Sequence, residues 1–258
     1  MAVAGGAALT SSSVYALKSV DLEISRQKIT ISGITKPLRI VALADIHAPD
    51  LFISTTDLIQ TINSQEPDLL ILAGDTFSKR EFESLMPEFG KINTDCIKVA
   101  VPGNWEYSLF RNLDNLRCRF RDVGIKLLVN EACEIQGLKI IGLDDLLGGA
   151  PDFSMLNNSS VGVSAHIVIS HCPKSFDFIK PDSHKQTICI AGHTHGGQIA
   201  PFGQVLLTPP GSGSYVHGWY QHGNNCMYVL RGIGTSVVPL RIGARPELLV
   251  LDLSPIGS

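Results

Sequence analysis

Seven side chains that can bind a metal cation recur along the sequence, and most directly follow a short apolar run. They are Asp45, His47, Asp75, Asn104, His171, His193 and His195. The set comprises carboxylates, imidazoles and one amide, each able to donate a lone pair. Oxygen and nitrogen ligands without a thiolate favour divalent ions such as Mn, Fe, Zn or Co. Seven ligands exceed what one tetrahedral ion takes, so the set predicts two ions that share a bridging carboxylate.

Two neighbouring divalent ions suit the hydrolysis of a phosphate ester or anhydride. Such a pair generates hydroxide at neutral pH and neutralises the phosphoryl group during in-line attack. Taken singly, an Asp after a strand is usually a turn or helix cap, and a lone His is usually a hydrogen-bonded surface residue. The recurrence of ligand types at successive strand ends favours a metal site over these separate explanations.

The apolar runs that precede these residues predict buried β-strands. Short, nearly all apolar and β-branched runs suit central strands covered on both faces. In open α/β sheets, ligands bind beyond the carboxyl ends of the strands, so we expect the seven side chains to converge there. The runs are "LRIVALA", "DLLILAG", "IKVAVPG", "LKIIGL", "AHIVIS" and "TICIAG", which precede Asp45, Asp75, Asn104, Asp144, His171 and His193.

Helical patterns lie between the first runs and predict an α/β fold. A helix through "DLIQTINSQ" is expected to be capped by Thr55 or Thr56 and ended by Pro67. A second is expected to run continuously from Leu109 to Val123, with Gly124 closing it. With no internal repeat and no linker, residues 18–258 are predicted to form one domain. The uncharged residues 1–17 are expected to be a flexible tail or the remnant of a signal or anchor.

The overall composition excludes some partners and says little about others. The net charge of −3 and pI near 6.2 give no basic surface for nucleic acid, so none is expected. The six cysteines contain no C-x-x-C pair, and several lie in strand-like stretches. We therefore expect reduced cysteines that pack as small apolar residues.

The motifs resemble those of the calcineurin-like metallophosphoesterases, whose pattern is D-x-H, G-D, G-N-H-[DE], a solitary H and G-H-x-H. The resemblance implies a four-layer αββα sandwich, in which two mixed β-sheets are flanked by helices. The matching segments, in the same order, are "DIH" (45–47), "GD" (74–75), "GNWE" (103–106), "SHCP" with His171, and "GHTH" (192–195).

The same resemblance assigns the seven ligands to two metal ions. It implies catalytic roles for Asp75, Asn104 and His193 as well, with Asp75 bridging the two ions. The metals themselves are expected to be Mn, Fe or Zn. One ion would be held by Asp45, His47, Asp75 and His195, and the other by Asp75, Asn104, His171 and His193.

A finer similarity points to the membrane-anchored or secreted branch that includes bacterial phosphodiesterases and some UDP-2,3-diacylglucosamine hydrolases. It rests on "GHTHGGQI", on "GLDD" (142–145) and on the tail "VLRGIGTSVVPLRIGARPELLVLDL". This similarity implies a phosphorylated small molecule or a lipid-linked, cell-envelope precursor as substrate, with peripheral membrane association. It favours a membrane-associated or extracytoplasmic setting, whereas reduced cysteines also fit the cytoplasm. The sequence leaves the oligomeric state open.

Trp105 departs from the family pattern, because it stands where the family has His. That histidine is assigned to stabilise the transition state or to protonate the departing oxygen. An indole N–H can donate one hydrogen bond, but it does not give up its proton to a leaving group. We therefore expect pyrophosphate links or activated diesters to be cleaved in preference to alkyl esters, whose leaving groups need an acid. Trp105 is expected either to stack on a base or sugar face or to pack over the edge of the site.

Other polar residues near the motifs have weaker signals. Glu106 is expected to orient neighbouring ligands, and Asp144 and Asp145 either to do the same or to cap a loop. Arg111 is expected to reach a phosphate or to belong to a solvated helix face. His217, in the loop "PPGSGSYVHGWY" with Tyr215, is expected to face the substrate.

The predicted function is a two-metal phosphohydrolase that cleaves a phosphodiester or pyrophosphate bond. The alternatives are a phosphomonoesterase, including a protein phosphatase, and a catalytically silent metal-binding scaffold. A nuclease fits the net charge less well. Because all seven ligand positions are filled, the sequence favours a chain that binds metal over a silent fold.

Overall fold

Two six-stranded mixed β-sheets form the centre of the protein in the computed structural model. The structure describes residues 21–49, 51–78, 85–93, 95–110, 112–156, 165–181 and 186–256. In spatial order, the first sheet contains β1 (Glu23–Ile31), β12 (Glu247–Pro255), β2 (Leu38–Leu43), β3 (Leu69–Ala73), β4 (Ile97–Val101) and β5 (Lys126–Leu127). Strands β2 to β5 are parallel, and β12 joins β2 antiparallel and β1 parallel.

The second sheet has a parallel centre with an antiparallel strand at each edge. Its spatial order is β10 (Gly218–His222), β11 (Asn225–Val229), β9 (Gln186–Ala191), β8 (Ala165–Ile169), β7 (Leu138–Gly142) and β6 (Glu131–Ile135). The six apolar runs seen in the sequence are confirmed as β2, β3, β4, β7, β8 and β9. The predicted α/β class with two mixed sheets and flanking helices is also confirmed.

Four α-helices are defined in the described part of the chain. The first is capped by Ser54, whose hydroxyl accepts a hydrogen bond from the backbone N–H of Asp57 at 3.0 Å. The prediction of Thr55 or Thr56 as the cap was wrong by one or two positions, because Ser54 is an equally good capping residue. The helices are α1 (Thr55–Ser64), α2 (Met86–Phe89), α3 (Asn104–Leu109) and α4 (Asp114–Asp122).

The predicted continuous helix from Leu109 to Val123 is wrong, because the chain breaks between α3 and α4. The Asn112 side-chain oxygen accepts from the backbone N–H of Asp114 at 2.5 Å, and Phe110 is extended. An Asn side chain that binds nearby backbone competes with helical hydrogen bonding. The apolar period nevertheless persists, because both helices pack on the same core.

Three apolar layers hold these elements together. The layer between the two sheets contains Ile40 and Ile71 from one sheet and Ile167 and Ile188 from the other, all fully buried. A second layer lies between the first sheet and the helices. The third covers the outer face of the second sheet, where the described covering segments include the 3₁₀ turns Phe153–Leu156 and Pro173–Phe178. Both faces of the central strands are therefore covered, as their apolar runs require.

A buried ionic cluster connects the two sheets close to the C-terminal end of β11. Glu247 of β12 is 1% exposed and accepts from the Tyr228 hydroxyl of β11 at 2.6 Å. Arg231 donates its backbone N–H to the same carboxylate at 3.0 Å and pairs with Glu23 of β1. Tyr228 and Arg231 thus compensate the charge of Glu247, and Arg231 extends the cluster to Glu23, so that β1, β11 and β12 are linked.

Three further sequence predictions concern the chain ends, the cysteines and membrane-spanning helices. Residues 1–17 lie outside the described residues, and the single-domain boundary stays a prediction. None of the six cysteines is paired in the structure, and their reduced state stays a prediction. Within the described ranges, no helix has both the length and the apolar character needed to cross a bilayer.

Replacing Tyr228→Phe tests the link between the sheets. The change removes one hydrogen bond to a buried carboxylate without altering the packed ring, so the free energy of unfolding should fall by about 1.5–3 kcal/mol. Urea denaturation monitored by circular dichroism measures this loss. An unchanged midpoint would contradict the proposed role of the cluster.

Candidate metal centre

The seven predicted ligands come from strand ends of both sheets and lie at one edge of the sandwich. In the first sheet, Asp45 and His47 follow β2, Asp75 follows β3, and Asn104 begins α3 after β4. In the second sheet, His171 follows β8, and His193 and His195 follow β9. Because neighbouring parallel strands end at the same edge, each sheet brings its ligands together, and the two edges face each other.

The ligand atoms form two adjacent groups with buried side chains. Asp45, His47 and His195 form one group and Asp75, His171 and His193 the other, with the ligand atoms of each group within 4.8 Å of one another. In the first group, the Nε2 atoms of His47 and His195 are 3.1 Å apart. In the second, His193 Nδ1 and His171 Nε2 are also 3.1 Å apart. Ring nitrogens that converge in this way are suited to share a cation.

Asp75 lies between the two groups. Its Oδ2 atom is 3.2 Å from His171 Nε2 and 3.7 Å from His47 Nε2. Its Oδ1 atom accepts a hydrogen bond from the backbone N–H of Trp105 at 2.9 Å, which fixes the orientation of the carboxylate. One oxygen of Asp75 therefore reaches both groups, as a bridging ligand must.

Backbone carbonyls fix which nitrogen of two imidazoles faces the centre. His171 Nδ1 lies 2.9 Å from the carbonyl of Ala73, and His193 Nε2 lies 2.7 Å from the carbonyl of Pro210. Carbonyls only accept, so each of these nitrogens carries the proton. His171 Nε2 and His193 Nδ1 then face the ligand group, and their lone pairs are available to a cation that displaces any second proton.

Five of the seven ligands have left-handed backbone conformations although none of them is glycine. The φ angles are 48° at Asp45, 49° at His47, 51° at Asp75, 73° at His193 and 53° at His195. Such conformations cost roughly 1–3 kcal/mol each and persist only where surrounding structure enforces them. Their concentration at these positions indicates a functional site.

Glu106 holds the loops that carry Asp75 and Asn104. Its carboxylate is 1% exposed and accepts backbone N–H groups from Asp75 at 2.9 Å and Gly103 at 2.8 Å. It also accepts from Thr76 at 2.7 Å and Phe77 at 3.3 Å. One side chain thus joins the turns after β3 and β4, in agreement with the orienting role expected from the sequence.

Arg241 holds the turn that carries His195, a role for which the sequence gives no signal. It is fully buried, and its guanidinium donates to the backbone carbonyls of His195 at 3.3 Å and Gly234 at 2.8 Å. One guanidinium nitrogen lies 3.3 Å from His195 Nδ1. Burial lowers the pKa of Arg241 to about 10. An arginine 46 positions from its partner gives no local sequence signal.

The charges of the ligands depend strongly on their burial. Burial raises the pKa of Asp45 to about 7. Burial also acts to raise the pKa of Asp75, but the charge and hydrogen bond of His171 outweigh it and hold that pKa below its usual value. For His171, burial acts to lower the pKa, whereas the carboxylates of Asp75 and Asp45 raise it well above normal. Burial lowers the pKa of His193 to about 4 and that of His195 well below normal. The charges of Asp75 and His171 thus stabilise each other, and the imidazoles of His193 and His195 stay neutral.

Two buried oxygen atoms at the centre test whether the residues fit a metal. Asp45 Oδ1 and Asn104 Oδ1 are buried and accept no hydrogen bond from the described part of the chain. A buried oxygen without a donor is costly, and a coordinated cation removes that cost. The donor set of oxygens and imidazole nitrogens therefore fits two divalent cations. Their identity, expected to be Mn, Fe or Zn, stays a prediction.

A cavity of about 390 Å³ opens directly onto the ligands. Asp75, Asn104, His193 and His195 contribute to its wall, as does Trp105. The Trp105 ring is half-buried and meets the His47 ring edge-on, with centroids 5.3 Å apart. The rest of the described lining consists of Thr194, Gly197, Gln198, Ile199, Leu206, Leu207, Pro209, Ser236, Val237 and Val238.

Two further residues expected to face the substrate, His217 and Tyr215, do not line this cavity. Arg111 lies outside the described residues, so its expected role stays a prediction. His217 is exposed and does not line the cavity. Tyr215 points away, since its hydroxyl donates to Asp177 at 2.6 Å. The residues of this segment that line the cavity lie earlier in the chain, at Leu206, Leu207 and Pro209.

Asp144 and Asp145 stabilise a loop beside the centre. Asp144 accepts from the Tyr107 hydroxyl at 2.5 Å and from the backbone N–H of Ala150 at 2.9 Å. Asp145 accepts from the backbone N–H of Gly148 at 2.6 Å. Both residues therefore act as loop caps, one of the two alternatives left by the sequence.

The chain belongs to the calcineurin-like phosphoesterase family, whose model matches residues 38–197. It is accordingly a metal-dependent phosphoester hydrolase. The uncharacterized metallophosphoesterase YkuE of Bacillus subtilis is 30% identical over 230 residues, which cover 83% of this chain and 78% of that protein. An uncharacterized metallophosphoesterase of Campylobacter jejuni is 32% identical over 249 residues, and the match covers 92% of this chain but only 63% of the relative.

Two further similarities carry more specific names. The phosphodiesterase YaeI of Escherichia coli is 27% identical over 230 residues, covering 84% of this chain and 82% of that protein. The crystal structure of a dimetal phosphatase from Danio rerio superposes with a TM-score of 0.53 at 12% identity, covering 83% of this chain and 98% of the other. The latter similarity concerns the fold alone.

Replacing Glu106→Gln tests how the ligand loops are held. Glutamine offers one acceptor oxygen in place of two, and its NH₂ group faces backbone N–H groups. We expect a 10- to 100-fold loss of metal affinity, as is typical when a residue that orients ligands is changed. Titration calorimetry with Mn²⁺ measures it, with the exposed Glu134→Gln as matched control. Equal affinities for the two variants would contradict the orienting role.

Proposed function

We propose that this chain hydrolyses a phosphodiester or pyrophosphate bond at a two-metal centre, in a lipid-linked or cell-envelope precursor. The observation that carries the proposal is the cavity that joins both ligand groups to an apolar wall and to Trp105. The first ion would be held by Asp45, His47, Asp75 and His195, and the second by Asp75, Asn104, His171 and His193.

The bound cations would act as Lewis acids, lowering the pKa of water and neutralising charge on the phosphoryl group. The chain supplies the positioning. Asp75 Oδ2 reaches both ligand groups, and the backbone N–H of Trp105 donates a hydrogen bond to Asp75 Oδ1. Asn104 presents its buried amide oxygen, and His193 is oriented by the Pro210 carbonyl. Such fixed geometry is how a site lowers the entropic part of a barrier.

The lining of the cavity supports the choice of bond. Apart from the ligands themselves, its described polar side chains are Trp105, Thr194, Gln198 and Ser236. None of these is an acid that gives up a proton near neutral pH. A phosphate or an aryl oxide leaves without an acid, whereas an alkoxide needs one. Pyrophosphate bonds and activated diesters are therefore the substrates that this wall suits.

The apolar part of the wall supports a substrate with a hydrocarbon portion. Ile199, Leu206, Leu207, Val237 and Val238 line the cavity beside the ligands. A group attached to a phosphate held at the metals would lie against these side chains and be removed from water. The name of the Escherichia coli relative, a phosphodiesterase, agrees with the proposed bond class.

The bridging carboxylate provides the direct test. Replacing Asp75→Asn removes the negative charge and one of the two ligand oxygens, so we expect hydrolysis of bis-p-nitrophenyl phosphate in the presence of Mn²⁺ to fall by at least about 10³-fold. The exposed Asp122→Asn variant is the matched control and should keep the parent rate. An unaltered rate in Asp75→Asn would eliminate the bridging role.

A substrate panel separates the proposed function from its alternatives. It contains bis-p-nitrophenyl phosphate, p-nitrophenyl phosphate and UDP-sugar pyrophosphates, each with Mn²⁺. We expect turnover of the diester and the pyrophosphates. Turnover of the monoester alone would favour a phosphomonoesterase. A metal-loaded chain that cleaves none of them would favour a silent scaffold.

Replacing Trp105→His tests the argument from the leaving group. A histidine at this position, beside the ligands, can donate a proton, so cleavage of an alkyl ester should rise by about tenfold or more relative to an aryl ester. The measurement is kcat/KM for a series of diesters with increasing leaving-group pKa, which should fall less steeply in the variant. Trp219→His, on the exposed edge strand β10, is the matched control. Identical slopes for both variants would refute the argument.

A further inference from the structure

Four exposed apolar side chains surround the mouth of the cavity. Leu206 is 67% exposed, Leu207 80%, Val237 92% and Val238 45%, and all four also line the cavity. We call these four residues the apolar collar. Single exposed apolar residues are normal, but a contiguous group beside a catalytic cavity marks a site of interaction.

Part of the collar is held outward at a conformational cost. Val237 has a φ angle of 64°, which is strongly disfavoured for a β-branched residue. The Gln198 side chain fixes this turn: it donates to the carbonyls of Ser236 at 3.1 Å and Val238 at 2.8 Å, and accepts from the Ser236 N–H at 3.0 Å. Because the surrounding turn holds Val237 in a strained and almost fully exposed conformation, we infer that this side chain contacts a partner.

The same feature recurs on the neighbouring loop. Phe202 lies between the cavity-lining residues Ile199 and Leu206 in the chain, is 94% exposed and has a φ angle of 55°. Left-handed backbone is uncommon for an aromatic residue. Val237 and Phe202 are thus both exposed apolar side chains in strained turns, a combination that is unusual for a surface that contacts only water.

The segments that form the collar carry no ionic groups. The sequence from Gln186 to Leu230 contains no Asp, Glu, Lys or Arg, and neither does the stretch 232–240. A partner recognised through charge would need ionic side chains here. The apolar collar is instead suited to contact hydrocarbon, which the acyl chains of a lipid bilayer provide.

We propose that the apolar collar docks on a lipid surface, with Leu207 and Val237 inserted among the acyl chains. Docking in this orientation turns the cavity and the ligands of both metal groups toward phosphates in the head-group layer. Apolar side chains on interfacial proteins reach into this boundary region. The inference goes beyond the bond class proposed above and does not depend on which phosphoester is cleaved.

Co-sedimentation with neutral phosphatidylcholine vesicles tests the docking. The full chain should partition onto the vesicles, and the double variant Leu207→Ser/Val237→Asn should lose at least about tenfold in partition coefficient. The matched control, Ile97→Ser/Ile256→Ser, changes two exposed side chains at the opposite edge of the first sheet, at the start of β4 and just after β12, and should bind as the parent does.

The single variant Val237→Asn separates docking from folding. Asparagine tolerates left-handed backbone, so the melting temperature should stay or rise by about 2–4 °C while vesicle binding falls. A purely structural role would lower both together, which would overturn the proposal. Vesicle binding by the Asp75→Asn variant should equal that of the parent, so a failure of hydrolysis leaves this test intact.

Three other results would overturn the proposal. The first is no binding of the parent chain to neutral vesicles. The second is binding only to anionic vesicles that is lost on raising the salt concentration, which would assign it to charge. The third is a dimer in size-exclusion chromatography that the Leu207→Ser/Val237→Asn variant abolishes, because the collar would then cover a second copy of the chain.

Discussion

The structure depends on holding buried carboxylates and imidazoles close together at one edge of the two sheets. Two carboxylates and four imidazoles face one another in adjacent groups whose ligand atoms lie within 4.8 Å. Burial penalises the charged carboxylates, and the charge of His171 offsets only part of that cost, since the pKa of Asp45 is still raised to about 7. Bound divalent cations would remove the remaining cost, and their binding free energy would then contribute to the stability of the folded chain.

The surrounding fold is organised to impose this arrangement before any cation binds. Parallel strands in each sheet end at one edge and bring the ligand turns together. Glu106 joins two turns through their backbone N–H groups, and Arg241 holds the turn of His195 through its carbonyl. The left-handed conformations at five ligands are the local cost of aiming short side chains inward.

Much of the fold could be predicted because its signals are local. The apolar runs define the strands, and the ligand types at their ends define the site. The break before α4 could not be predicted, since Leu109 and Leu116 keep a helical period across it, whereas the Asn112 side chain binds the backbone N–H of Asp114. The contribution of Arg241 was equally hidden, because it acts from a distant segment on a backbone carbonyl.

The residues that line the cavity were likewise hard to predict, because they are brought together by the tertiary structure. The sequence pointed to Tyr215 and His217, which are polar and close to the metal turn in the chain. The structure instead presents Leu207 and Val237, which come from separate loops joined through Gln198. Exposed apolar residues leave no pattern that distinguishes them from core residues, so only the folded chain reveals them.

The two-metal centre depends on one oxygen of Asp75 reaching both ligand groups. Anomalous diffraction from crystals grown with Mn²⁺ measures this. We expect two anomalous peaks per chain, both within coordination distance of Asp75 Oδ2, with Asp45 and His195 on one side and His171 and His193 on the other. A single peak, or two peaks of which only one contacts Asp75, would contradict it.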